Sequence, residues 1–330
     1  MKKFLVKVFI LTAIVSTLLL CVNFLYVNTA YYKNLNDMRK FSEVPEHIDV
    51  VNFGASHSAC AFNWSGYTQF AGTNMALGSQ TLVYDEALFR YYFDCLDENS
   101  TVLLEVMFKS LYEKEQDTPP YGTNITRYYQ VLPKDFIRQW NLPDAVKYGY
   151  LPVLGNRQEA VANIISEWFG GDGSAGELER QQQTGQVLTG EPTRVLDGWE
   201  EEAMNAEGKR RAESFMAQSG NQEHGEQYEA LIRIIEKCKE NNIQVILVTA
   251  PTLPCFYTGY DKEFMDRFYQ DMEEISQKYD IPYLDYTGDE RFLADYRWYS
   301  DTDHLNGYGS RYFTQEFLKD NQEILRFMNR

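Results

Sequence analysis

Short, β-branched apolar runs separated by amphipathic stretches constrain the fold of this chain more than any other feature. The runs at residues 48–53 (IDVVNF), 101–107 (TVLLEVM), 244–249 (QVILVT) and 281–285 (IPYLD) each have the length and composition of a buried strand. Residues 85–96, 227–241 and 262–278 carry helical spacing; in the second, Leu231, Ile234, Ile235 and Cys238 fall on one face. Strands alternating with helices predict an α/β fold around a largely parallel sheet. The pattern breaks between residues 113 and 222, where Thr118-Pro119-Pro120, Gly170-Gly171-Asp172-Gly173 and Gln181-Gln182-Gln183 punctuate a polar stretch. It reads as an insertion, partly loop and partly helical at Ala160 to Trp168.

A second constraint lies at the N-terminus. Val8 to Val27 carries no charged residue, and Lys2, Lys3 and Lys7 precede it. Such a run of about 20 residues suits a helix crossing a bilayer, and it is longer than the apolar segment of a cleaved signal peptide. Cys21 follows three leucines rather than small residues, which argues against a lipoprotein signal. The expected organisation is a cytoplasmic tail (1–7), a transmembrane anchor (8–27), a stem (28–46) and an extracytoplasmic body (47–330) that contains the insertion at 113–222.

The formal net charge of −17 excludes a nucleic-acid partner, which needs a basic face for the phosphate backbone. Cys60, Cys95, Cys238 and Cys255 in the body form no C-x-x-C, and no histidine stands at metal-ligand spacing. No metal or other cofactor is therefore expected, while one or two disulfides could form in an exported body.

Two motifs carry chemistry. Gly54-Ala55-Ser56-His57-Ser58 follows the first apolar run directly, at the carboxyl end of a strand where open α/β sheets bind ligands. Asp301-Thr302-Asp303-His304 lies near the C-terminus, and the spacing of Asp301 and His304 lets one turn present a carboxylate to one ring nitrogen while the other faces a serine. Ser56 is the candidate nucleophile, His304 the base and Asp301 its orienter. Asp303 is the competing carboxylate, otherwise a helix cap or a solvated loop residue. His57 is too close in sequence to reach back onto Ser56 easily. Between the two motifs, Asn74 and Gly78 in Asn74-Met75-Ala76-Leu77-Gly78-Ser79 could supply oxyanion donors. Trp298 and Tyr299, just before the second motif, are candidates for stacking on a sugar ring.

With these residues in place, the chain resembles the SGNH (GDSL-like) hydrolase superfamily, and more closely its membrane-anchored branch that includes the D-alanyl transfer protein DltD and the alginate-acetylation proteins. Gly54-Ala55-Ser56 matches the nucleophile block, Asn74 to Gly78 the glycine block, and Asp301-x-x-His304 the last block. The resemblance implies a flavodoxin-like three-layer fold, a Ser-His-Asp triad and acyl-ester chemistry on a cell-envelope glycan or polymer. It alone implies a membrane-bound acyltransferase partner. The family's G-x-N-D block is missing; Met107-Phe108-Lys109-Ser110 stands where it should follow the second apolar run. That departure turns the expectation from hydrolysis toward acyl transfer by a membrane-anchored O-acyltransferase. The alternatives are a carbohydrate esterase (deacetylase) of the same fold and a non-catalytic glycan-binding or scaffold protein.

Overall fold

The computed structural model describes residues 1–34, 37–114, 123–155, 157–170, 201–293 and 296–329. The chain forms two compact units: Met1–Glu43 with Thr118–Glu179, and Val44–Asp117 with Arg180–Arg330.

The larger unit is built on a five-stranded sheet of β1 (Val50–Phe53), β2 (Gly72–Asn74), β3 (Thr101–Glu105), β4 (Gln244–Thr249) and β5 (Tyr283–Asp285). Every pairing is parallel, in the order β2-β1-β3-β4-β5, with Val51 opposite Thr73 on one side and Val102 on the other. This is the flavodoxin-like order, whose switch point lies between β1 and β3. The near-continuous apolar runs are explained by burial: β1 and β3 are buried along their whole length and β4 from Val245 onward.

Right-handed crossovers send the connection from β1 to β2 to one face and those to β3 and β4 to the other. On the first face, the helix Ser56–Ala61 meets the helix Gly307–Asp320, where Ser310 and Thr314 hydroxyls donate to the Ala61 carbonyl at 3.2 and 3.3 Å. Phe62, Phe313 and Phe317 pack edge-to-face beside them, with ring centroids 5.4 and 5.3 Å from Phe62. On the opposite face, the helix Leu82–Tyr91 lies on Glu226–Glu240, and the Val83 amide donates to Gln227 Oε1 at 3.1 Å. Glu226–Glu240 turns Ala230, Leu231, Ile234, Ile235 and Cys238 inward, as the spacing of its apolar residues predicts.

Asn52 is the one polar side chain inside β1, and a closed set of hydrogen bonds satisfies it. Trp64 Nε1 donates to its Oδ1 at 2.8 Å, while its Nδ2 donates to Ser58 Oγ at 2.9 Å and Asn74 Oδ1 at 3.0 Å. One amide thus ties together the strand, the helix after it and the edge strand β2. No disulfide joins Cys21, Cys60, Cys95, Cys238 or Cys255, so the disulfides considered for the body are not formed.

The smaller unit contains the helix Lys2–Val27, which is long and apolar enough to cross a membrane, and the helix Arg157–Phe169. The end of the long helix is packed: Tyr26 clusters with Val153, Ala160 and Ile164. Within the stretch read as an insertion, residues 201–219 form a helix of the larger unit, and it proves central to the site.

Candidate active site

Chain direction at the end of β1 is set by Gly54, whose φ of +133° is a left-handed conformation that side chains rarely adopt. A Cβ there would lie 2.8 Å from Ser58 Cβ and 2.9 Å from Glu105 Oε2, so only glycine fits. The turn presents Ser56 as the first residue of the helix Ser56–Ala61, partly exposed at the carboxyl end of β1.

The second motif approaches from the loop after β5. A backbone bridge between Tyr299 and Leu305 closes that loop, and the Ser300 amide donates to the His304 carbonyl at 2.9 Å. Asn306 then caps the following helix by accepting from the Tyr308 and Gly309 amides. Gly309 packs so tightly that a Cβ would lie 2.2 Å from the Trp298 carbonyl oxygen.

This scaffold brings Ser56, His304 and Asp301 into one hydrogen-bonded line. Ser56 Oγ and His304 Nε2 are 2.7 Å apart, and His304 Nδ1 is 2.8 Å from Asp301 Oδ2 and 3.0 Å from Oδ1. Asp301 Oδ1 also accepts from the Asp303 and His304 amides at 3.0 and 2.8 Å, which fixes the carboxylate against its own loop. With Nδ1–H donated to Asp301, Nε2 is the acceptor for the serine proton.

Behind this line lies a second one that sequence reasoning missed. Asp303, the competing carboxylate of the motif, is neither a helix cap nor solvated but fully buried. Arg211, from the helix Glu201–Ser219, grips it through Nη2–Oδ2 at 2.6 Å and Nε–Oδ1 at 2.5 Å. His57 Nε2 also contacts Asp303 Oδ2, at 2.9 Å, and the His57 ring stacks on His304 with centroids 4.5 Å apart and planes 21° from parallel. Burial, with the neighbouring His304 adding, pushes His57 down to about 4, so it is neutral at pH 7 and donates Nε2–H to Asp303. Burial works against charge on Asp303, but His304, His57 and Arg211 hold it well below the usual carboxylate range. Burial likewise opposes a charge on His304, yet Asp301 and then Asp303 outweigh it and raise its basicity above that of an ordinary histidine. A buried imidazole that gains a proton here meets two carboxylates and a neutral neighbour.

His57, Asp303 and His304 have donor atoms close enough together to hold a metal ion. Arg211 already neutralises Asp303, and His304 already bridges Ser56 and Asp301, so the set is engaged without one.

The other expected donors are placed as follows. Asn74 donates both amide protons to backbone carbonyls, Phe62 at 2.8 Å and Ala59 at 3.2 Å, and its Oδ1 accepts from Asn52 and the Ala76 amide. In this arrangement it anchors the end of the Ser56–Ala61 helix, and both of its amide protons are engaged there. The Leu77 amide donates to the Gly54 carbonyl at 3.3 Å, which brings the Leu77-Gly78 backbone alongside the serine turn. After β3, Met107 to Ser110 form a turn closed by the Met107 amide on Ser110 Oγ, and the turn itself contains no asparagine. Tyr299 is completely buried and Trp298 packs on Tyr312 with centroids 4.0 Å apart. Tyr299 belongs to the core and has no face for sugar stacking, whereas Trp298 is half-buried against that core.

Under the serine turn lie two buried carboxyls. The Gly54 amide and Gln80 Nε2 donate to Asp85 Oδ1 at 3.0 and 2.6 Å, and Glu105 abuts Gly54 from the end of β3. Burial, reinforced by Asp85, pushes Glu105 up to about 8; burial pushes Asp85 up to about 7 against the pull of Gln80 and the Gly54 amide. In the unfolded chain such carboxyls ionise near pH 4, so between pH 4 and 8 the unfolded state binds fewer protons and stability falls as pH rises. His304, with its raised value, acts in the same sense, whereas the opposing contribution of His57 is complete by pH 6.5. Thermal unfolding should therefore show a loss of stability from pH 6.5 to 8.5, and Glu105→Gln should remove about 2 kcal/mol of that loss. An unchanged pH dependence in the variant would show that Glu105 does not hold its proton.

Comparison with known proteins follows this geometry. The family model described as DltD protein matches residues 197–316, a stretch that contains Arg211, Asp301, Asp303 and His304 but neither Ser56 nor Asn74. No curated protein matches the chain. Among solved structures, a Bacteroides fragilis protein described as a candidate acylhydrolase is similar at 11% identity, over 88% of this chain and 98% of its own, with a TM-score of 0.36. Over residues 197–316 the chain is similar to the DltD protein family.

Proposed function

We propose that the chain is a membrane-anchored, extracytoplasmic serine O-acyltransferase that passes an acyl group to a hydroxyl of a cell-envelope glycan or polymer. The observation that carries this reading is the Ser56–His304–Asp301 line, with 2.7 and 2.8 Å steps, at the open end of a parallel sheet. In the proposed sequence, His304 Nε2 takes the Ser56 proton as Oγ attacks the acyl carbonyl carbon. The tetrahedral oxyanion collapses, the donor's leaving group departs with the proton from His304, and an acyl-serine remains. An acceptor hydroxyl then enters, gives its proton to His304 and attacks the ester, releasing Ser56 Oγ with that proton. Backbone N–H groups at Ser56 and Gly78 are the proposed oxyanion donors, with Asn74 holding the helix that carries Ser56. The anchor reading is supported by the helix Lys2–Val27. A membrane-bound partner that presents the acyl donor fits the same arrangement.

The test is product partition. Full-length protein is given p-nitrophenyl acetate with and without an oligosaccharide acceptor, and acetylated sugar and free acetate are measured together. The proposal expects the sugar to capture acetyl in preference to water. Acetate alone would make the protein an esterase, and release no faster than that of a Ser56→Ala variant would favour a binding role.

The acylation step should also have a distinct pH profile. Because the reactive form is neutral His304, the rate should rise with pH through a value above 6.5. Asp301→Asn should lower the rate by about 10³–10⁴-fold, because the amide can leave His304 in the wrong tautomer. A pH-independent rate, or an undiminished variant, would remove His304 and Asp301 from these roles.

A further inference from the structure

The helix Arg157–Phe169 has two unlike faces. Ala160, Asn163 and Ile164 are buried, and Ala160 and Ile164 cluster with Tyr26 and Val153, with Leu19, Leu25 and Val27 packed at the edge. Trp168 Nε1 donates to the Leu25 carbonyl at 3.2 Å, and the Val153 amide donates to Asn23 Oδ1 at 3.3 Å. The helix is thus fastened to the last turns of Lys2–Val27. From Leu19 to Val27 is about 12 Å at 1.5 Å per residue, the last two turns of the apolar segment.

Beside the buried face runs a second apolar stripe that is exposed among the described residues. Val161, Ile165, Trp168 and Phe169 are 53%, 49%, 47% and 74% exposed. At about 100° per residue they lie within one arc roughly 100° wide, the width of a helix face that would normally be buried. Such a face is costly in water but not beside a bilayer, and an indole with its polar edge satisfied suits the membrane boundary.

We infer that this stripe seats in the lipid bilayer crossed by Lys2–Val27, so the chain is held by a spanning helix and by a second helix lying at the interface. The occupant of the face is lipid, at the boundary between headgroups and acyl chains. The inference rests on the reading that Lys2–Val27 spans the membrane. The Trp168–Leu25 hydrogen bond and the packing of Ala160 and Ile164 on Tyr26 put the second helix at the depth where the span ends, and that shared depth selects lipid over water.

The test uses the full chain in phosphatidylcholine/phosphatidylglycerol vesicles whose acyl chains carry bromine near the carbonyl end, with tryptophan emission as the readout. Brominated lipid should quench the native protein, and Trp168→Phe should remove roughly half or more of that quenching. The double variant Trp168→Phe/Phe169→Trp should restore it, because position 169 lies on the same stripe. Equal quenching in the native protein and Trp168→Phe, with no recovery in the double variant, would overturn the proposal. So would quenching that disappears as the chains self-associate at high protein-to-lipid ratio, which would assign the face to a second copy. Retention of all variants on the vesicles after an alkaline wash tests the anchor separately. Retention without Trp168 quenching overturns the seated stripe alone, whereas loss of retention overturns the anchor and with it this inference.

Discussion

Replacing Ser56 with alanine should lower acetyl release from p-nitrophenyl acetate by about 10⁴-fold or more, to the level set by binding and backbone donors alone. Ser56 is partly exposed, and its one described side-chain partner is His304 Nε2, so the variant should fold with stability within about 0.5 kcal/mol of the native protein. Loss of rate without loss of fold separates a nucleophile from a helix-starting residue. His304 would remain bonded to Asp301, its position and basicity nearly unchanged. A Ser56→Ala protein that kept most of its rate would move the chemistry elsewhere in the chain.

The second large effect concerns Arg211, which touches neither Ser56 nor Asp301 in the described contacts. Among the described residues its guanidinium is the one fixed positive charge on a fully buried Asp303, because His57 is neutral and His304 becomes charged only when protonated. Arg211→Met should leave that carboxylate uncompensated and cost about 3–5 kcal/mol, a fall of roughly 10 °C in Tm for a body of this size. The freed charge should then draw a proton onto His57 or His304, so the acylation limb should move as well as the Tm. Combining Arg211→Met with Asp303→Asn removes both charges and should recover part of the lost stability. If Arg211→Met alone left Tm and the pH limb in place, the Arg211–Asp303–His57 group would have no part in holding the site.

How the sequence announced these features varies in an instructive way. Strands β1, β3 and β4 were legible because a fully parallel, doubly covered sheet needs uninterrupted apolar runs, and Val50–Phe53, Thr101–Glu105 and Gln244–Thr249 are such runs. The edge strand Gly72–Asn74 was not, since three residues of half-buried Gly-Thr-Asn carry no periodicity. The spacing of Asp301 and His304 spoke for itself, being local to one loop. Arg211 stands 92 residues from Asp303 in a polar stretch that reads as an insertion. The available signal was faint: Met204, Gly208 and Ala212 recur every four residues and are buried, but two of the three are too small to raise the apolar moment. They are small for a reason the fold supplies, because a Cβ on Gly208 would lie 2.6 Å from the Cys255 backbone. Close approach of that helix to the turn at Pro254–Tyr257 is what delivers Arg211 to Asp303. Asn74 shows the opposite case, a residue type suited to an oxyanion site whose amide protons are committed to the Ala59 and Phe62 carbonyls.

The central claim is that Ser56 becomes acylated. The most direct measurement is the intact mass of the full-length protein after brief exposure to p-nitrophenyl acetate near pH 8, followed by acid quench and peptide mapping. The account predicts one acetyl group, located on the peptide that carries Ser56, absent from Ser56→Ala and discharged faster when an oligosaccharide acceptor is added. An unmodified native protein, or an acetyl group carried equally by Ser56→Ala, would contradict it.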